Sequence, residues 1–217
     1  MYQTILFDLD GTLTDPKEGI TKCVQCGLRA AEIVVDDLDQ LTWFIGPPLL
    51  SSFRKYPGMD ETRLPLAMQA FAERFQTKGL YENSLYPDTV TLLRALHAAG
   101  KRLALATAKP ERYGVRILEH FGIRQYFDVV SGCTTDDKAV EKDVILQEAL
   151  RRLGISESEK ATAVMVGDRD NDILAAKVCG IPSIGVRFGY AQPGELERAG
   201  ADHIFDTMEA LQAFLLQ

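Results

Sequence analysis

From Tyr86 to its end the chain alternates short runs that are apolar throughout with helical stretches punctuated by proline and glycine, and few architectures accept that pattern. Residues 102–107 (RLALAT) read as a buried strand, after which Pro110 opens a helix that Gly122 closes. Residues 128–132 (DVVSG) form the next strand, followed by a helix from about Lys142 to Leu153 that Gly154 ends. A strand at 162–167 (TAVMVG), a helix ending near Gly180, strands at 182–187 and 203–205, and a last helix to Leu216 complete the series. Residues 3–8 (QTILFD) add one more strand at the start. Strands without a polar face must be covered on both sides, and the helices between them supply the covers. The expected fold is α/β, a doubly wound parallel sheet of Rossmann-like type.

Residues 15–83 break this rhythm. They show helical spacing, as in Ile20, Val24, Leu28 and Ala31 and again in Leu66, Ala70 and Phe71, with no strand pattern. Gly46-Pro47-Pro48 punctuates the middle. The expected organisation is a core from residues 1–14 and 84–217 carrying an inserted all-helical cap at 15–83. No internal repeat or low-complexity tract interrupts it.

A chain of 217 residues with 46% hydrophobic and 25% charged residues is ordinary globular material rather than a disordered one. With 24 Lys and Arg against 31 Asp and Glu, the net charge of −7 argues against a nucleic-acid polymer as partner. It leaves room for a small phosphorylated metabolite, which needs only a few cations in one pocket. No apolar stretch is long enough for a membrane span, and Asp8 and Asp10 interrupt the apolar run Ile5–Phe7 where a signal peptide would continue. The expected location is the cytoplasm, with no membrane partner. Cys23 and Cys26 form a C-x-x-C inside a helical pattern and no second such pair exists, so a packing role is preferred to zinc or redox chemistry. His97, His120 and His203 show no ligand-like spacing.

In open α/β sheets, ligands bind at the carboxyl ends of the strands. The first strand ends in Asp8-Leu9-Asp10-Gly11-Thr12, the next in Thr107-Ala108-Lys109, and the strand at 162–167 in Gly167-Asp168-Arg169-Asp170-Asn171-Asp172. Carboxylates that converge in a cleft repel one another and need a cation to coexist; Mg²⁺ suits clustered carboxylate oxygens. An acid directly after a buried strand, as at Asp168, is costly unless paired. Thr107, taken without the other motifs, reads in preference as a helix N-cap ahead of Pro110. Asp170 reads as a solvated acid in a first helical turn. Lys109 and Arg169 are cations that either touch phosphate or stay at the surface.

With Asp8-x-Asp10-Gly11-Thr12-Leu13 after an N-terminal strand, and the other motifs following in order, the sequence resembles the haloacid dehalogenase-like hydrolases nearly end to end. The resemblance implies a phosphatase with Mg²⁺ as cofactor. By it, Asp8 is the nucleophile that forms an acyl phosphate, and Asp10 is the general acid and then the base. The implied metal set is Asp8, the backbone carbonyl of Asp10, and Asp168, with Asp172 orienting it. Thr107, with Ala108 and Lys109 beside it, and a lysine further on are the implied phosphate-binding group.

For that lysine Lys138 and Lys142 compete. Ile145, Leu146, Ala149, Leu150 and Leu153 follow Lys142 as one apolar face, which places it in a first helical turn, where the helix N-terminus also favours an anion. Lys138 stands beside Asp136 and Asp137 and suits a surface role. A second carboxylate at Asp10 favours phosphoryl transfer over dehalogenation. Ile45-Gly46-Pro47-Pro48-Leu49 and Asp15-Pro16-Lys17-Glu18-Gly19-Ile20 resemble segments of the family's 5′-nucleotidase-like branch. Gly46, Pro47 and Pro48 are thus candidate specificity residues, although on the residues alone a plain interhelix turn is the preferred reading. A phosphoglycolate phosphatase, a sugar-phosphate phosphatase or mutase, and a non-catalytic interaction module are the competing readings.

Overall fold

In a computed structural model of the protein, which describes residues 1–133 and 140–217, the chain begins with β1 (Thr4–Phe7) and β2 (Thr14–Asp15). Three helices follow, α1 (Lys17–Ala30), α2 (Leu49–Lys55) and α3 (Leu64–Arg74), the last continued by a π-helical turn at Phe75–Gly79. Then come β3 (Ser84–Leu85), α4 (Thr89–Ala98), β4 (Arg102–Pro110), α5 (Glu111–His120), β5 (Val129–Cys133) and α6 (Lys142–Leu153). The remainder is β6 (Ala163–Gly167), α7 (Asp170–Cys179), β7 (Ser183–Val186), α8 (Glu195–Ala199), β8 (His203–Phe205) and α9 (Met208–Leu215).

Six strands form one sheet in the order β5-β4-β1-β6-β7-β8, every neighbouring pair parallel. The direction of winding reverses at β1, so the crevice beyond the carboxyl ends of β1, β4 and β6 is the switch point where such sheets bind ligands. Alternation along the strands serves two cores. Leu6, Ala104, Ala106 and Met165 pack with Ile145, Leu146 and Ala149 of α6 and Ala175 and Ala176 of α7. Ile5, Phe7, Leu103, Leu105, Val164 and Val166 face the opposite core, with α4, α5 and α9. The apolar face foreseen on α6 is the buried one, and α6 and α7 end at Gly154 and Gly180, both at left-handed φ.

The segment between β2 and β3 departs from expectation in two places. Thr14–Asp15 pairs antiparallel with Ser84–Leu85, a small ribbon at the root of the insertion where no strand was foreseen. Two residues per strand are too few to show alternation. Helix α3 turns a different face inward: Leu64, Ala67 and Phe71 are buried, whereas Leu66 is 53% exposed. The reason is close packing of α3 on α1, where a Cβ on Gly27 would come within 2.6 Å of the Ala67 carbonyl oxygen. The foreseen face of α1 is correct, with Ile20, Val24, Leu28 and Ala31 all buried.

Candidate active site

The amide of Asp8 donates to the Val166 carbonyl at 2.9 Å, extending the strand ladder by one residue and setting the Asp8 carboxylate at the carboxyl end of the interior strand β1. The loop then folds back, its Leu13 and Thr14 amides donating to the Leu9 carbonyl at 2.9 and 3.0 Å. Gly11 takes φ +89°, and a Cβ there would lie 2.1 Å from Asp168 Oδ2. Only glycine lets the two loops approach this closely. Asp168, at the end of β6, accepts from the Thr12 hydroxyl at 3.2 Å and from the Tyr190 amide at 2.8 Å.

Lys142 is the first residue of α6 and is buried. Its Nζ lies 2.6 Å from Asp8 Oδ1 and 2.7 Å from Asp172 Oδ1. Asp172 also accepts from the Arg169 amide at 3.2 Å, capping α7. Lys138 lies outside the described residues.

Asp8, Asp168 and Asp172 each offer a carboxylate oxygen within 4.8 Å of the others, all three buried. Burial raises the Asp8 carboxyl to about 6, against the pull of Lys142. Asp168 is raised well above the usual carboxylate range by burial and then by Asp172 and Asp8. For Lys142 burial works downward, and the two carboxylates outweigh it and raise the ammonium. Three carboxylates balanced by one ammonium form an all-oxygen cluster short of positive charge, and that donor set fits a hard divalent cation such as Mg²⁺.

Asp10 stands apart from the cluster. Its Oδ2 pairs with Lys109 Nζ at 2.8 Å, while its Oδ1 is buried without a hydrogen-bond partner among the described residues. Burial raises the Asp10 carboxyl, with Lys109 opposing. The Lys109 ammonium also rests 4.7 Å from the centre of the Phe75 ring, on the helical insertion. Thr107 is buried and accepts from the Lys109 amide at 3.2 Å; it does not cap α5, whose first turn follows Pro110 without a side-chain cap.

A cavity of about 530 Å³ opens from these groups, lined by Asp8, Asp10, Thr107, Ala108 and Lys109 on one side and by Gly46, Pro47, Pro48 and other insertion residues on the other. Arg169 does not line it. The Arg169 guanidinium pairs with Glu195 at 2.8 Å and donates to the Ile45 carbonyl at 2.7 Å. Asp170 is exposed, as expected of a first-turn acid. None of the four cysteines forms a disulfide, and Cys23, buried on α1, accepts at Sγ from Arg74 at 3.2 Å.

Sequence reasoning missed Tyr190, Glu195 and Phe75. Tyr190 ties Asp168 to the insertion's root, because its hydroxyl donates to Asp15. Glu195 accepts from the amides of Asp170 and Gln192 as well as from Arg169. Neither stands in a strand-end motif, and no local spacing links them to their partners. For Phe75 the only signal was its place in the insertion's apolar pattern.

Residues 5–186 match the family model described as haloacid dehalogenase-like hydrolase. The chain is 38% identical to the 5′-nucleotidase of Pseudomonas aeruginosa over 99% of this chain and 96% of that protein. It is 36% identical to the tyrosine-protein kinase PtkA of Mycobacterium tuberculosis over 90% of this chain and 66% of that protein. Among solved structures, a predicted phosphatase from Clostridium acetobutylicum superposes with a TM-score of 0.93 at 39% identity, covering 100% of this chain and 99% of that one. The chain therefore belongs to the haloacid dehalogenase-like hydrolases and is one of their phosphatases.

Proposed function

We propose that the protein is a Mg²⁺-dependent phosphomonoesterase that forms an aspartyl phosphate on Asp8 and acts on a small phosphorylated metabolite, a 5′-nucleotide above the alternatives. The observation that carries this reading is Asp8: its carboxylate ends β1, is held by Lys142 at 2.6 Å, and faces a cavity it shares with Asp10.

Asp8, Asp168 and the backbone of Asp10 would hold the metal, with Asp172 beside them. Bound there, Mg²⁺ supplies positive charge that lowers the repulsion between a carboxylate and a phosphate dianion. Lys142 orients Asp8, its ammonium 2.6 Å from the attacking carboxylate. An Asp8 oxygen attacks phosphorus, the phosphorus–oxygen bond to the leaving group breaks, and Asp10 gives that oxygen its proton. Burial suits Asp10 to this, since it favours the protonated carboxyl. Asp10, now ionised, takes a proton from water. The water oxygen bonds to phosphorus, and phosphate leaves as the Asp8 carboxylate is restored. Thr107, Ala108 and Lys109, at the end of β4, would receive the phosphoryl oxygens.

Turnover of p-nitrophenyl phosphate with Mg²⁺, lost in EDTA and lost in Asp8→Asn, is the expected result. No turnover by the native protein on p-nitrophenyl phosphate or on any member of a panel of nucleotides, phosphoglycolate and sugar phosphates would leave the interaction-module reading standing. Full activity after metal removal would sink the metal assignment alone.

A further inference from the structure

Among the described residues, the cavity is charged at one end only. Its ionisable carboxylates and its lysine, Asp8, Asp10 and Lys109, all sit where β1 and β4 end. The rest of the lining is built from aromatic and aliphatic side chains, among them Phe44, Leu49, Met68, Phe71, Phe75 and Tyr113. The rings form a continuous set: Phe71 stacks on Phe75 at 5.5 Å between centroids, and Phe75 meets Tyr113 edge-on at 5.3 Å. Away from the charged end, the one amide side chain among the described lining residues is Gln69, and its nitrogen already donates to Glu73 at 2.8 Å.

Two consequences follow for whatever stands behind the phosphate. A leaving group with a carboxylate of its own meets no free cation among the described residues, because Lys109 is paired with Asp10 at 2.8 Å and Lys142 with Asp8 and Asp172. Burying an unpaired charge is strongly unfavourable, and burying hydroxyls without partners is unfavourable in proportion to their number. A flat, uncharged ring gains from the same walls by area and by ring contacts. The volume of about 530 Å³ is of the size that encloses a whole organic ligand, far more than a two-carbon acid fills.

We infer that the cavity selects phosphomonoesters whose leaving group carries an uncharged aromatic ring, and that it holds the ring by contact without reading its hydrogen-bonding edges. This inference rests on the phosphatase reading above and narrows it. Nucleotides satisfy it through their bases, and purines and pyrimidines are treated nearly alike. So do simple aryl phosphates. Phosphoglycolate and hexose phosphates do not.

The test is kcat/KM with Mg²⁺ for AMP, UMP, 1-naphthyl phosphate, phosphoglycolate and glucose 6-phosphate. The first three should exceed the last two by about 100-fold or more, and AMP and UMP should agree within about tenfold, the range that contact without edge recognition allows. Met68→Lys, which adds a cation to the apolar wall, should raise the ratio of phosphoglycolate to AMP by about tenfold. Calorimetric binding of AMP and phosphoglycolate to Asp8→Asn ranks the ligands without needing turnover. Activity with phosphoglycolate within tenfold of AMP overturns the inference and leaves the phosphatase reading intact. If no substrate is turned over, tighter binding of AMP than of phosphoglycolate still supports the cavity's selectivity, while equal or reversed affinities overturn it.

Discussion

Arg169 Nη1 donates to the carbonyl of Ile45 at 2.7 Å, joining the loop that carries Asp168 to the segment that roofs the cavity. The contact is fitted from both sides. Glu195 holds the guanidinium through Nε at 2.8 Å, and Gly46, at φ +101°, lies so close that a Cβ would meet Arg169 Cγ at 2.9 Å. A cation that the sequence allowed to touch phosphate is tied instead to Ile45, next to Gly46, Pro47 and Pro48 of the cavity lining.

Arg169→Met keeps the stem and deletes the tie. Combined with Glu195→Gln, so that no buried carboxylate is stranded, it should raise KM for AMP about tenfold, the worth of one charge-assisted hydrogen bond. The kcat for p-nitrophenyl phosphate, which needs less of the roof, should change by less than about threefold. Steady-state kinetics on the two substrates measures both. Unchanged KM for AMP would show that the tie has no part in substrate binding.

Asp168→Asn should stabilise the metal-free protein and abolish its response to metal. The Asp168 carboxyl is raised by burial and by two neighbouring carboxylates, so an uncharged amide relieves repulsion while still accepting from the Tyr190 amide. A gain of about 1 kcal/mol would lift Tm in EDTA by about 2–4 °C for a chain of this size. Thermal melts should then show a rise on adding Mg²⁺ for the native protein and none for Asp168→Asn. An equal rise in both would place the metal elsewhere. Excess Ca²⁺ should inhibit the native enzyme, since it takes more oxygens at longer distances than Mg²⁺.

Asp8→Asn should end turnover without harming the fold. The sign of its effect on stability depends on pH. Burial lifts the folded Asp8 carboxyl to about 6, above the unfolded value of about 3.9. Between those values the folded state keeps a proton that the unfolded state has released, so this group's contribution to stability falls as pH rises through the window. Without metal, the difference in Tm between Asp8→Asn and native protein should therefore be near zero at about pH 4 and grow in favour of the variant to pH 7. Melts at several pH values in EDTA follow it. A difference that shrinks with pH would mean that Lys142 outweighs burial.

Much of this was legible because it is local. Uniformly apolar strands and their flanking glycines gave the sheet, since burial on both faces leaves no alternation to misread. The strand-end carboxylates and Lys142 could be found because a strand's end and a helix's start are positions that sequence marks. The illegible part is what chain crossings create. Which face of α3 turns inward depends on its close approach to Gly27, and the partners of Arg169, Tyr190 and Phe75 come from distant segments. The insertion's amphipathic pattern gave helices but not the cavity they enclose with the core.

Lys142→Met separates structure from catalysis. The ammonium is the one cation within 2.7 Å of both Asp8 and Asp172 among the described residues, so deleting it strands two buried carboxylates. Breaking a buried pair in this way costs about 3–5 kcal/mol, less here to the extent that Asp8 takes up a proton. Mg²⁺ should recover part of that loss, because it answers the same excess of negative charge. It should not recover turnover, since no other described ammonium pairs with Asp8, and kcat/KM should stay several orders of magnitude below native at saturating Mg²⁺. Asp172→Asn added to Lys142→Met removes one stranded charge and should restore Tm further, again without activity. Lys138→Met is the control and should lose little. The measurements are Tm and kcat/KM across a Mg²⁺ titration for the native protein and the three variants. If Lys142→Met folds and keeps kcat/KM within tenfold of native, Lys142 only balances charge, and the phosphate-binding lysine must be sought elsewhere, first at Lys138.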